Sequence, residues 1–246
     1  MRESLLATVV ISASSIASSA LAADLPINAP GAPVPVFTWT SCFLGAHAGG
    51  GWAKKDITDP VAVVENALGL APTPGVTTAH ISPSGAVIGG QFGCDYQFAP
   101  NWVTGVEGAV SGATMKGDTT VGLSDATTAL VTARTDFIGS VTGRLGYAVG
   151  RWLPYVRGGA AWAGDKYTIT GNSFSGFEAL DTRPGWTAGA GIEWAFARNW
   201  SARLEYDYYG LGTRTILIDP PNLGHVDVKQ SVQTVKLGVN FHVWSW

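Results

Sequence analysis

The segment Trp200-Ser201-Ala202-Arg203-Leu204-Glu205-Tyr206-Asp207-Tyr208 has apolar or aromatic residues at the even positions and polar or charged residues at the odd positions. Successive side chains of a β-strand point to opposite faces, so this segment is predicted as a strand with one apolar and one charged face. Residues 235–243 and 186–194 repeat the same period. A soluble β-sandwich or a lipocalin needs apolar residues on the face that carries these charges. The pattern therefore favours a membrane barrel, with lipid outside and a polar lumen.

Short turns recur along the chain and set the topology. The sequences Ala99-Pro100-Asn101, Val149-Gly150-Arg151 and Ala197-Arg198-Asn199 each directly precede a tryptophan, and these tryptophans are 50 and then 48 residues apart. Polar stretches near residues 54–83, 116–133, 168–182 and 213–230 lie between them and are predicted as long loops. Short turns at one end and long loops at the other are typical of outer-membrane barrels. We predict an all-β fold, an eight-stranded antiparallel transmembrane β-barrel with short periplasmic turns and long surface loops.

Composition excludes several classes of protein. The 246 residues include 15 Lys+Arg against 18 Asp+Glu, a formal net charge of −3, so no basic surface for a nucleic-acid partner is expected. Outside the N-terminal segment no apolar run approaches the length of about 18 residues that a membrane-spanning helix needs. Two cysteines are too few for a disulfide scaffold and lack zinc-site spacing. No metal or cofactor is predicted.

The N-terminal region is predicted to be an export signal followed by a linker. Arg2 precedes an apolar stretch that ends in the small-residue pattern Ala20-Leu21-Ala22, so residues 1–22 are interpreted as a signal peptide. Residues 23–37 are rich in proline, which favours an extended periplasmic segment. The barrel domain is predicted over residues 38–246.

The inward phase of the predicted strands collects five acidic and four basic residues. An Arg or Lys facing hydrocarbon would cost roughly 2 to 4 kcal/mol at the bilayer midplane, so these groups should face the lumen. Because an eight-stranded barrel has an interior just wide enough for side chains to fill, opposite charges there are expected to pair. A proton or ion pathway is the alternative. The predicted lumen charge network is Asp95, Glu107, Arg144, Arg157, Glu193, Arg203, Glu205, Asp207 and Lys236.

Aromatic residues are predicted to mark the two membrane interfaces, where amphipathic rings settle at headgroup level. The predicted girdle on the periplasmic side contains the tryptophans Trp39, Trp102, Trp152, Trp200, Trp244 and Trp246, together with Tyr96, Phe98 and Phe196. The outer girdle is expected to contain Trp52, Trp162, Trp186, Tyr147 and Tyr208.

Cys42 and Cys94 are predicted to form a disulfide. The alternation places both cysteines in the lipid-facing phase of the first two barrel strands, a few residues from the periplasmic end. Paired residues of neighbouring antiparallel strands lie within disulfide range, and an exported compartment is oxidising. Two free apolar thiols are the alternative.

An enzymatic site is not expected. A lipid hydrolase would need a serine, a histidine and an acid that converge near the outer rim. None of the four histidines, at positions 47, 80, 225 and 242, lies in a recognisable pattern of this kind. The glycines at 49–51 are not followed by the Lys-Ser/Thr of a phosphate loop.

Short motifs recur along the barrel strands: Trp39-Thr40-Ser41-Cys42-Phe43-Leu44-Gly45, Gly49-Gly50-Gly51-Trp52, Gly89-Gly90-Gln91-Phe92-Gly93, Asn101-Trp102-Val103-Thr104-Gly105-Val106-Glu107-Gly108, Gly143-Arg144-Leu145-Gly146-Tyr147, Arg151-Trp152-Leu153-Pro154-Tyr155-Val156, Gly158-Gly159-Ala160-Ala161, Asn199-Trp200-Ser201-Ala202 and Leu204-Glu205-Tyr206. With these motifs the chain from Trp39 onward resembles the small outer-membrane immunogenic β-barrel proteins of alphaproteobacteria. The resemblance implies a surface antigen that supports envelope integrity and no catalytic residues. It also implies outer-membrane localisation in a Gram-negative bacterium, contact with outer-membrane lipids and lipopolysaccharide, and insertion by the barrel-assembly machinery. A narrow porin for small solutes is the competing function, a lipid-modifying enzyme is less favoured, and any surface ligand of the loops is unidentified.

Overall fold

Long antiparallel β-strands make up nearly all of the computed structural model, which describes residues 37–59, 77–122, 128–171, 174–217 and 225–245. The predicted signal peptide and most of the proline-rich segment lie outside these residues. Among the described residues, no helix is long and apolar enough to cross a membrane. The strands are β1 (Ser41–Asp59), β2 (Thr77–Ile81), β3 (Ser84–Gln97), β4 (Trp102–Gly122), β5 (Thr128–Tyr147), β6 (Trp152–Gly171), β7 (Phe174–Ala195), β8 (Trp200–Leu217) and β9 (His225–Ser245).

These nine segments close into a barrel of eight strands. Each strand from β3 to β9 pairs with the next, and β9 pairs with β1 from Ser41↔Ser245 to Thr58↔Asp227, which closes the ring. The segments β2 and β3 both pair with β1 and together form one barrel strand, interrupted next to Pro83. The amide of Ala53 donates to the Pro83 carbonyl at 2.8 Å, so β1 stays bonded across the interruption. The prediction of an eight-stranded antiparallel barrel is confirmed.

The three predicted short turns each join two strands at the same end of the barrel. Backbone hydrogen bonds close them, from Phe98 to Trp102 at 3.1 Å, from Val149 to Trp152 at 2.8 Å and from Ala197 to Trp200 at 3.2 Å. In the second turn Gly150 has a φ of 61°, a left-handed conformation that glycine adopts without steric cost.

The predicted loops are shorter than expected, because much of each polar stretch is strand. β1 continues to Asp59, β4 and β5 leave only residues 123–127 between them, and β6 and β7 leave only residues 172–173. Strands of 18 to 22 residues exceed the 9 to 11 that cross a membrane, so the barrel wall extends beyond the bilayer. Beyond the bilayer both faces of a strand meet polar surroundings, so the hydrophobic alternation stops while the backbone pairing continues.

The alternation of faces follows the predicted phase. In β8 the odd residues Ser201, Arg203 and Glu205 are at most 3% exposed, whereas Leu204 and Tyr206 are 48% and 42% exposed. The polar side chains therefore fill the lumen and the apolar ones cover the outside of the barrel.

Candidate functional site

Side chains fill the lumen in four successive layers, and strand β6 passes through all of them. From the turn end it contributes Leu153 and Tyr155 to an apolar cluster, Arg157 to a charged network, Ala161 and Ala163 to a second apolar cluster, and Asp165 to a smaller ionic cluster. The layers are named here the periplasmic seal, the charge network, the outer seal and the outer ion cluster.

The periplasmic seal closes the turn end of the lumen around Trp39. This side chain is 1% exposed, its indole Nε1 donates to the Gly150 carbonyl at 3.3 Å, and its backbone amide donates to Oε1 of Gln97 at 3.0 Å. Phe37 packs on it at a ring distance of 5.2 Å. The chain therefore crosses the barrel mouth before it enters β1. The buried members of the periplasmic seal are Trp39, Val103, Ala148, Leu153, Tyr155 and Ala195.

The prediction that Trp39 belongs to the interfacial girdle is wrong. Trp39 shares the inward phase of Ser41, Phe43 and His47, so its side chain enters the lumen instead of facing lipid. A local turn motif could not show this, because the indole contacts residues more than 100 positions away.

Of the other predicted girdle tryptophans, the side chains of three are described by the structure and those of two are not. Trp102, Trp152 and Trp200 are 44%, 47% and 45% exposed on the outside of the barrel. The Trp244 side chain and Trp246 lie outside the described part of the chain. Tyr147 was predicted on the outer side, and this is wrong: its ring contacts Trp102 at 5.3 Å, at the turn end.

The charge network begins at Arg144, next to the periplasmic seal. Its guanidinium pairs with both carboxylate oxygens of Asp95 and with Glu193 at 3.0 Å. The rings of Phe43 and Tyr155 lie 4.8 Å and 5.1 Å from its central carbon, so the cation is also held between two aromatic faces.

Glu107 connects the middle of the charge network, because two arginines bind the same carboxylate. Arg157 Nη1 lies 2.8 Å from Glu107 Oε1, and Arg203 Nη1 lies 2.7 Å from Oε2. Arg157 also contacts Asp207 at 2.7 Å and Glu205 at 3.1 Å. Each of these side chains is at most 1% exposed.

Lys236 completes the charge network towards the outer end. Its ammonium lies 3.0 Å from Glu205 and 2.7 Å from Asp207. All nine residues of the predicted set are buried and lie in this one layer. Every cation in it contacts at least two carboxylates.

Two histidines, which the alternation places in the lumen on the first and last strands, extend the charge network through serine and glutamine side chains. Nδ1 of His242 shares a hydrogen bond of 2.7 Å with the Ser41 hydroxyl, and its Nε2 shares one of 2.9 Å with the Ser201 hydroxyl. Nδ1 of His47 likewise forms a hydrogen bond of 2.6 Å with Oε1 of Gln91, and its Nε2 forms one of 2.7 Å with the Ser111 hydroxyl. These residues come from different strands, so no sequence motif could reveal their contacts.

Inward-facing glycines make room for the large side chains of the lumen. A Cβ atom at Gly93 would lie 2.6 Å from the ring of Phe43, and one at Gly191 would lie 2.6 Å from the ring of Tyr155. Both distances are shorter than carbon atoms tolerate. Glycine at these positions therefore allows the two rings to flank Arg144.

The two outer layers were not predicted. The outer seal contains Met115, Tyr209 and Val232, which are at most 3% exposed, together with smaller apolar residues. In the outer ion cluster Asp165 accepts from Lys55 at 2.9 Å, from Thr135 at 2.6 Å and from Gln230 at 3.2 Å. Lys55 and Gln230 fall inside stretches that were interpreted as loops, which is why this cluster was missed.

A disulfide joins Cys42 and Cys94 on the outer surface near the turn end. The two residues are direct partners in the pairing of β1 with β3. The disulfide therefore ties neighbouring strands across the long first connection.

Among the described lumen residues, one serine contacts both a histidine and an acid. Ser201 does contact both His242 and Glu193, but it is 0% exposed and lies beneath the periplasmic seal, where a substrate carbonyl has no access. Within the described ranges, no group of three or more His, Cys, Asp or Glu side chains is placed to hold a metal ion.

Comparisons with known proteins agree with this architecture. Residues 5–241 match the family model described as outer membrane protein beta-barrel domain. The chain is 31% identical over 237 residues to the 31 kDa outer-membrane immunogenic protein of Brucella melitensis, covering 93% of this chain and 95% of that protein. It is 26% identical over 230 residues to the 25 kDa outer-membrane immunogenic protein of Brucella abortus, covering 94% of this chain and 91% of that one.

Among solved structures, the outer membrane protein OprG from Pseudomonas aeruginosa superposes with a TM-score of 0.50 at 16% identity, covering 84% of this chain and 99% of that one. This likeness concerns the fold. The family model spans most of the chain, and the chain accordingly belongs to the outer membrane β-barrel protein family and is located in the outer membrane.

Proposed function

We propose that this protein is a sealed structural barrel with a surface-exposed role, not an open channel. The observation that carries the proposal is the layered filling of the lumen. The periplasmic seal and the outer seal are both apolar, and between them the charge network is buried and paired.

An ion that entered the charge network would have to separate ion-paired side chains, and the separated charges would have no other partner in the network. Removing one partner of a buried ion pair costs about 3 to 5 kcal/mol, because the other charge is left uncompensated. A narrow porin, the alternative function, instead needs a continuous polar path. The two buried apolar clusters, one on each side of the charge network, support the sealed barrel over the porin.

Conductance in planar bilayers tests the proposal. Protein whose folding has been verified by heat-modifiable gel mobility should give no steady channels. As a matched pair, the Arg157→Ala/Arg203→Ala variant alters the lumen and Lys229→Ala alters only the outer surface. Steady wild-type conductance that the lumen variant changes and the surface variant leaves unchanged would establish the porin function instead.

The relatives' names support the surface-exposed part of the proposal, since both Brucella proteins are named immunogenic. In intact cells a membrane-impermeant amine reagent should modify the exposed Lys54 and Lys116 at the barrel end opposite the short turns. Lys55, which is fully buried, is the internal control and should not react. Labelling of Lys54 and Lys116 only after the outer membrane has been opened would contradict the proposed orientation.

A role in envelope integrity predicts a phenotype that depends on the folded barrel rather than on conduction. Cells that lack the protein should become more sensitive to detergent. A folded variant with an altered lumen should restore resistance as well as the wild type does.

A further inference from the structure

An oblique groove crosses the lipid-facing side of the barrel from β6 to β1. Its floor follows a row of cross-strand partners, each on the next strand, namely Trp152, Trp194, Ala202, Val239 and Ala46. All of these residues line the groove, which has a volume of about 670 Å³. Four steps of about 4.8 Å between neighbouring strands make it about 19 Å long. We call this surface the wall groove.

Differences in side-chain size form the wall groove. Its floor contains the small residues Ala202 and Ala46, and larger side chains stand in the rows on either side. Ala202 points outward and is nevertheless half-buried, because these larger neighbours surround it. The row further from the turn end consists of the cross-strand partners Ile192, Leu204 and Leu237, and the row nearer the turn end consists of Trp200, Phe241 and Leu44.

The stagger of the strands places the wall groove in one half of the bilayer. A row of cross-strand partners that starts at Leu44 and is followed once around the barrel, through β3 first and β9 last, returns to β1 at Lys54, ten residues further from the turn end. With about 3.3 Å per residue and a tilt of about 40°, each step to the next strand therefore climbs about 3 Å along the membrane normal. The wall groove thus rises by about 12 Å, from Trp152 of the predicted girdle to Ala46 near the middle of an apolar band about 25 Å tall.

Two arginines of the short turns lie next to the lower end of the wall groove. Arg151 directly precedes Trp152 in the second turn, and Arg198 lies two residues before Trp200 in the third. Both arginines are exposed. The amide of Ala195 donates to the Arg151 carbonyl at 2.9 Å, so the second turn is bonded to the strand that leads into the third. Because outward-facing tryptophans settle at headgroup level, cations beside them lie close to the phosphates of membrane lipids.

We propose that the wall groove and the two turn arginines bind one phospholipid of the leaflet at the turn end. An acyl chain lies in the groove, and Arg151 and Arg198 hold the phosphate. Arginine suits this role, because its guanidinium can bind a phosphate with two parallel hydrogen bonds.

The preference for a bound lipid over its neighbours has two sources. Lipid tails are as apolar as the wall groove, so exchanging one lipid for another gains no hydrophobic free energy there. The preference therefore comes from the fit of the chain between the two flanking rows and from the phosphate contacts. This binding site goes beyond the function proposed above and does not depend on whether the barrel conducts.

Photocrosslinking in phosphatidylcholine nanodiscs locates the bound lipid. The probe is phosphatidylglycerol with a diazirine in one acyl chain, added as a small fraction of the lipid. Illumination should place its adducts mainly on the peptides of β8 and β9 that contain Ala202 and Val239, and few on β4 and β5. In Arg151→Gln/Arg198→Gln the adducts on β8 and β9 should fall to the level of β4 and β5. About tenfold more probe should then be needed to restore them, because charge-assisted phosphate contacts are lost.

Matched variants separate the contribution of the groove from that of the charges. Ala46→Leu/Ala202→Leu fills the floor of the wall groove and should remove the adducts on β8 and β9. Ala160→Leu makes the same change on the outward face of β6, at an exposed position that does not line the groove, and should have no effect. Arg151→Lys/Arg198→Lys keeps the charges and should retain most of the adducts. Diacylglycerol with the same diazirine has no phosphate and should label the outer wall evenly.

Several outcomes would overturn the proposal. In the wild type these are adducts spread evenly over the outer wall, or diacylglycerol adducts on β8 and β9 as abundant as those of phosphatidylglycerol. In the variants they are unchanged labelling after Arg151→Gln/Arg198→Gln, or an equal loss after Ala160→Leu. Displacement of the probe by inorganic phosphate would also overturn it, because the arginines would then bind a free anion and not a lipid. If the double variant does not give the folded gel band, Arg151→Gln and Arg198→Gln alone provide the same readout.

Discussion

Glu107 connects two arginines of the charge network, since Arg157 and Arg203 both bind its carboxylate. We predict that Glu107→Gln lowers the free energy of unfolding by about 3 kcal/mol, the lower end of the range for breaking a buried pair, because Asp207 still compensates Arg157. Urea unfolding followed by gel mobility measures this.

The variant Asp136→Asn is the matched control for Glu107→Gln. It removes a carboxylate 3.8 Å from Arg134 at a site where both side chains are more than 40% exposed. An exposed pair of this kind contributes at most about 1 kcal/mol. Equal losses in the two variants would mean that the lumen pairs are solvated.

Trp39 holds the periplasmic seal together, although it precedes the first strand. We predict that Trp39→Ala lowers the free energy of unfolding by about 3 to 5 kcal/mol, as expected for truncating a fully buried aromatic side chain. The indole belongs to the same buried cluster as Val103 and Leu153, so its removal would leave a cavity at the barrel mouth. The urea midpoint of the folded gel band measures the loss.

Trp102→Ala is the control for Trp39, because its ring is 44% exposed on the outside of the barrel. Trp102→Ala should lower the free energy of unfolding clearly less than Trp39→Ala does. A larger loss for Trp102 than for Trp39 would show that the interface, and not the seal, dominates the energy of the turn end.

At the scale of the strands, the pairing of β1 with β3 brings Cys42 and Cys94 together across 52 positions of sequence. We predict that unreduced protein, denatured before titration, shows no free thiol, and that peptide mapping joins the two cysteine fragments. A slip of one residue in β1 would place the two side chains on opposite faces. Two reactive thiols would thus mean that the register of this pair is misassigned.

The same disulfide limits the freedom of the unfolded chain. Closing a loop of this length stabilises a protein by about 2 to 4 kcal/mol. Cys42→Ser/Cys94→Ser should lower the unfolding free energy by that amount and leave the folded gel mobility unchanged. Each single serine variant should lose as much as the double variant, since either one removes the bond.

At the scale of the whole molecule, closure of β9 on β1 isolates the charge network from solvent. The wild-type unfolding midpoint in phosphatidylcholine vesicles should therefore change little between about 0.1 M and 1 M salt, although the Debye length falls from about 10 Å to about 3 Å. Buried pairs are screened far less than exposed ones. A steep decrease in the midpoint with salt would indicate that ions reach the lumen.

The sequence by itself determined the barrel and the two faces of its strands. Period-two alternation is a local property of an extended chain, so the inward phase of Arg203, Glu205 and Asp207 could be assigned from nine consecutive residues. Tight turns are also local, and each of the three was located from its own short sequence.

Only the tertiary structure decided which inward side chains meet and where the lumen is closed. The Glu107 to Arg203 pair spans 96 positions, and the Trp39 to Gly150 hydrogen bond spans 111. The axial stagger of the strands sets these contacts, and a period of two contains no information on stagger. The sequence also did not show where the strands end on the outer side. Outside the bilayer the backbone pairing continues, but the strands no longer carry the apolar face by which a sequence pattern identifies a strand.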